Sequence, residues 1–361
     1  MKILLFIFLF FSLNIYSVDL DPLSDLEMQQ LVLDDVIRSE TRLFSDLYLE
    51  GLNYADQLTQ EEMRVSSSIF SFGSEEISDE DLWITLDSIK ASIFKTSDIY
   101  EEKISKINYK SQSSKEFFQP LYTLNYNQLV NLSAYLRNQA RLISNQIESL
   151  ELGDIDKYDY FLARSGLINT DQLMLMADAR DLVASISPKT NILHDLYKVE
   201  ASSLRVSGFA QKINSLYILN ELDQKNLKEI AAKARNSNRL LKNKKVKENL
   251  FNNVNKLGKI FKENASTDEM EVFNRLSESI TLFYDSAIGV TENWLQMIEL
   301  FEKNKENLNY TIDSTLQGKE FDYINEKIEF YRNQNIIYGE STNKNLRAVQ
   351  DIAIKYAKEN N

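Results

Sequence analysis

From Phe273 onward the apolar residues return with one rhythm: Phe273, Leu276, Ile280, Phe283, Ala287, Val290, Trp294, Met297 and Phe301, with gaps alternating between 3 and 4. After a polar slip at Asn304 the stripe resumes at Leu308. A strand alternates every second residue, so this spacing predicts a helix with a narrow apolar stripe, roughly 50 Å long. Such a helix cannot bury its stripe alone, and other helices must supply the facing surface.

The rest of the chain follows the same rule. Leu26, Leu33, Ile37, Phe44, Leu47, Tyr54 and Leu58 predict a helix from about Leu23 to Glu62, with a bend near Gly51, which occupies a stripe position. Residues Ser66 to Asp81 read as a linker that ends in a Ser78–Asp81 capping box. Leu82, Leu86, Ile89, Ile93, Tyr100, Ile104 and Ile107 mark the next helix, widened by Trp83 and Phe94. After a polar stretch, Pro120 reopens a helix whose stripe runs from Tyr122 to Leu150. Glu151 to Asn169, with Gly153 and Gly166, reads as a connection holding about two turns of helix. A helix capped by Asn169 or Thr170 follows and stops at Pro188. Ile192 to Asn220 continues the periodicity, Ser266 with Glu269 forms a capping box before Phe273, and Gly318 marks the end of that helix. A last stripe runs from Phe321 to Tyr356, with Asn335 and Asn345 on it as candidates for setting register. No sequence repeat accompanies these stripes. The expected fold is therefore all-α: an elongated bundle of long antiparallel helices with coiled-coil-like heptad packing.

Composition supports this reading. Three Pro and nine Gly in 361 residues leave little material for tight turns. Abundant Asn, Lys, Ile and Tyr is attributed to nucleotide bias. Lys2, the apolar run Ile3–Leu13 and Ser17 read as a cleavable signal peptide over residues 1–17. Residues 18–361 are then a single domain whose natural point of subdivision is 151–169. The chain has no Cys, so its stability comes without disulfides.

Charge changes the picture more. The net charge is −13, which opposes nucleic-acid binding. Yet Gln224–Lys262 holds twelve Lys or Arg against Glu229 and Glu248, a net +10 that leaves −23 on the remainder. Lys228, Arg235, Arg239 and Lys242 fall on one predicted ridge, with Lys245 just beyond. They are the candidate contacts for an anionic partner: a phospholipid headgroup, a lipopolysaccharide phosphate or an acidic protein surface. The plainer alternative is that they neutralise the acidic remainder of the same bundle.

Candidate chemistry is thin. His194 is the only histidine, and triads and di-iron sites need more. Asn191 stands where a Glu-x-x-His pair would place its glutamate. The acidic groups Glu75–Asp81 and Asp154, Asp156 and Asp159 read as helix starts and solvated loops, not calcium ligands. No phosphate-cradling glycine loop is present. No catalytic residue, metal or cofactor is therefore expected. Trp83, Trp294 and the tyrosine-rich stripes read as core filling.

The function expected is an exported, non-enzymatic scaffold of the cell envelope, periplasmic or extracellular, that binds a protein partner or self-associates. Two alternatives stand beside it. In size, export signal, missing cysteine and long helices the chain resembles helical pore-forming toxins, which would make it membrane-active; their long inserting apolar segment has no counterpart after the signal. The other is a ligand-binding sensor bundle with His194 and the aromatic stripes lining its pocket.

Overall fold

The computed structural model describes residues 26–72, 79–108, 119–152, 158–187, 192–310 and 318–359. Among them are nine helices and no strand: α1 (Leu26–Phe72), α2 (Asp79–Ser105), α3 (Gln119–Leu152), α4 (Tyr158–Ile186), α5 (Ile192–Ile218), α6 (Gln224–Leu241), α7 (Lys244–Asn264), α8 (Thr267–Lys303) and α9 (Lys319–Glu359). The protein is an all-α bundle of long helices. The segment 1–17, the Ser78 cap and Gly153 lie outside the described residues.

α8 shows how pattern becomes structure. The Ser266–Glu269 capping box forms, with Glu269 Oε2 accepting the Ser266 amide at 2.8 Å. Every residue of its stripe is buried except Trp294, which is half-buried. The helix ends at Lys303, earlier than Gly318. Asn304 is its C-cap, and its Nδ2 donates to Leu300 O at 2.8 Å, drawing on a carbonyl that the next turn would need. Leu308 lies beyond the helix and packs against the core from the loop.

Two expected breaks are helix instead. α1 runs unbroken through Gly51, because that glycine makes room for the Tyr100 ring and Leu132 rather than a bend. It continues past Ser66 to Phe72, with Val65 fully buried one heptad after Leu58. α4 begins at Tyr158, so most of the expected connection is helical and Asn169 and Thr170 sit mid-helix. They link helices rather than cap one. Asn169 Nδ2 donates to Gln211 Oε1 at 2.6 Å, and the Thr170 hydroxyl lies 3.2 Å from Gly208 O on α5. Gly166 meets Ser215 at this crossing, where any Cβ would collide.

The most extensive packings are α4 on α5 and α8 on α9. Contacts close a ring through α1, α3, α4, α5, α8 and α9, with α2 against α1 and α3, and α6 and α7 against α5 and α8. α8 and α9 are antiparallel: Asn335 Nδ2 reaches Ser286 Oγ at 3.0 Å, and Lys355 reaches Glu269 at 3.3 Å. Asn335 thus bonds across the α8–α9 pair, as a register-setting residue would. Asn345 bonds Ser341 of its own helix and has no such bond across among the described residues. Gly289 lets the Tyr331 ring lie against the α8 backbone. Gly289→Ala should cost about 1–3 kcal/mol through overpacking, read as a lower Tm with unchanged helix content.

Candidate functional site

The basic segment folds as two helices meeting at a corner. Asp223 accepts the Asn226 amide at 2.6 Å and starts α6; Asn243 accepts the Lys245 amide at 3.0 Å and starts α7. Lys228, Arg235 and Arg239 share one flank of α6. Lys242 is the C-cap residue at the corner and Lys245 lies in the first turn of α7, so the five cations do not form one ridge. Leu227, Ile230, Ala234 and Leu241 are buried, and the Tyr284 hydroxyl donates to Leu241 O at 2.9 Å, holding the end of α6 on α8.

α8 divides these cations into two groups. The Arg235 guanidinium forks onto Glu302, which holds it above its ordinary pKa, and Lys242 pairs with Glu292 at 2.7 Å. Lys233 and Lys244 pair locally with Glu229 and Glu248, and Lys247 lies 5.2 Å from the centre of the Tyr284 ring. These cations are absorbed by the bundle. Lys228, Arg239, Lys245, Lys256, Lys259 and Lys262 are exposed and have no ion-pair partner among the described residues.

Beside them a groove of about 970 Å³ runs between α7 and α8. Lys256, Lys259 and Lys262 line it with Asn249, Asn252 and Asn255 from α7 and Asn274 from α8, over Met270 and Phe273. Ammonium groups and carboxamides together can neutralise an anion and donate to its oxygens. The sequence carries one signal for this groove: Asn249, Asn252 and Asn255 recur every third residue beside lysines. An Asn-rich composition hides it.

The remaining candidates sit elsewhere. His194 is buried in the first turn of α5, not on the surface, and its Nδ1 lies 2.6 Å from Ala184 O. That geometry makes Nδ1 the donor to a carbonyl near the end of α4, where helical N–H donors run out and carbonyls are left to accept. Trp83 packs half-buried against the main core. Asp159 accepts from the Tyr310 hydroxyl at 3.1 Å; Asp154, Asp156 and Glu75–Ser78 lie outside the described residues. Among the described residues no three His, Cys, Asp or Glu side chains converge as metal ligands. Comparison with protein-family profiles, curated proteins and solved structures found no match.

Asp195 is buried, 3% exposed, with Oδ2 lacking a hydrogen-bond partner. Burial pushes its carboxyl above the usual range, and His194 and Lys198 offset part of that shift. The folded state therefore holds this proton more tightly than the unfolded chain, and stability is lost as pH rises through the interval between the two pKa values. Asp195→Asn should raise Tm at about pH 7, with the gain shrinking towards about pH 4. Tyr284→Phe should cost about 1 kcal/mol by leaving the Leu241 carbonyl without its donor, measured by denaturant unfolding.

Proposed function

We propose that this chain is an exported, non-enzymatic helical scaffold of the cell envelope that docks a phosphate-bearing anionic surface through α6, α7 and the α7–α8 groove. One observation carries the reading: six exposed cations without an ion-pair partner among the described residues gather on α6 and α7 of a chain whose remainder is strongly acidic. Repulsion from the acidic body orients an approaching anionic surface towards this face. The groove adds carboxamides suited to phosphate oxygens. Export rests on the apolar run Ile3–Leu13 behind Lys2, and the non-enzymatic reading on a sequence with one histidine, no cysteine and no phosphate loop. No helix among the described residues is long and apolar enough to cross a membrane, which favours surface docking over insertion.

The test is co-sedimentation of the chain with vesicles of phosphatidylglycerol and phosphatidylcholine, against phosphatidylcholine alone. Binding should require the anionic lipid and weaken steeply at high salt. Lys228, Arg239, Lys256 and Lys259 changed together to Glu should lower binding by at least about a hundredfold, at roughly 1 kcal/mol per cation, with Tm retained. Arg235 and Lys242 are left intact because they hold α6 to α8. Equal binding to neutral vesicles, or undiminished binding by the folded variant, rejects the proposal; capture of an acidic protein or of a second copy instead would redirect it.

A further inference from the structure

The buried residues of the bundle fall into two cores. One includes Val199 of α5, Ala287 of α8 and Leu346 of α9; the other includes Ala210, Met297 and Ile328 of the same three helices. Between them, at one level of the ring, lies a cavity of about 440 Å³ walled by α3, α4, α5, α8 and α9. Close-packed interiors hold few voids larger than a water molecule, and small-molecule sites begin at roughly 300 Å³. This space is too large to be a packing defect.

Its lining is mixed. Leu173, Met176, Phe283, Val290, Trp294 and Ile336 supply apolar surface. From α5 come Ser203, Ser207, Gln211 and Asn214, spaced 4, 4 and 3 apart and therefore on one face of the helix. Ser203, Ser207 and Asn214 have no side-chain hydrogen-bond partner among the described residues, although all three are half-buried. A half-buried hydroxyl or carboxamide facing a cavity is stabilised by a polar occupant. The charged groups of the wall are already matched: Glu200 pairs with Arg180 at 2.8 Å and Arg332 with Glu329 at 2.7 Å. The Tyr135 hydroxyl, pushed up to about 12 by burial, is neutral at ordinary pH. No free charge awaits a counter-ion.

We infer that this cavity is a binding site for an uncharged amphipathic small molecule, whose hydroxyl or amide groups face Ser203, Ser207 and Asn214 while its apolar body lies against Phe283, Met176 and Trp294. Of the residues that a sensor bundle would use, Trp294 lines it and His194 does not. A charged ligand would lose its hydration without gaining a partner.

The full chain is titrated with N-phenyl-1-naphthylamine, an uncharged fluorophore, and with 8-anilinonaphthalene-1-sulfonate, which differs by one sulfonate. Saturable one-to-one binding of the first is expected, with the second weaker by at least about tenfold. Ser207→Phe, which fills the cavity, should abolish binding and leave Tm equal or higher. If Ser207→Phe fails to fold, Trp83→Phe leaves Trp294 as the only tryptophan, and its emission should transfer to the bound uncharged probe. Absence of saturable binding, equal or tighter binding of the sulfonate, undiminished binding by folded Ser207→Phe, or no transfer from Trp294 each overturns the inference.

Discussion

A long amphipathic helix in water is stable only while other helices cover its stripe, and α8 shows how this chain meets that requirement. α9 returns antiparallel along one side of it; α5, α6 and α7 cover the others. Burial of the stripe supplies most of the stabilisation of such helices, since propensity alone leaves them marginal. Close approach sets how well the cover fits. Gly289 admits Tyr331, and Gly166 with Gly208 brings α4 and α5 together. Glycine here acts through its missing side chain and not through backbone freedom.

The same packing sorts the charges. α6 packs on α5 and α8 with Leu227, Ile230 and Leu241 buried, and that placement brings Arg235 and Lys242 to Glu302 and Glu292. Internal charge balance therefore accounts for some cations of the basic segment and leaves others unpaired among the described residues. Arg235 and Lys242 are internal charge balance, whereas Lys228 and Arg239 of α6 and Lys245, Lys256, Lys259 and Lys262 of α7 stay in solvent. Exposed ion pairs contribute little to stability, so the pairing matters here chiefly for which cations it leaves open.

Where the chain departs from regular burial it also departs from simple patterning. The two cores leave a gap at one level of the ring, lined from α5 by serines and carboxamides. Those residues occupy helical spacing as faithfully as the leucines do, yet apolar periodicity assigns them no role. Asn169 and Thr170 mislead for a related reason: residues that cap helices are also residues that cross-link them, and only a neighbour at hand decides which. Gly51 and Gly166 mislead likewise, because a glycine read as a break is also a glycine that admits a facing ring or hydroxyl.

Periodicity is a local property, so the sequence by itself determined the helical class, the stripe of α8, its capping box and the spans of α2, α3, α5 and α9. Composition determined that one segment is basic within an acidic chain. Which cations are engaged, which glycines are contacts, where His194 is buried and where the core opens into a cavity all depend on partners far apart along the chain. Lys242 meets Glu292, Asn335 meets Ser286 and Asn169 meets Gln211 across distances no local pattern encodes. Tertiary structure decided these because burial and pairing are properties of two surfaces, and a sequence window holds only one of them.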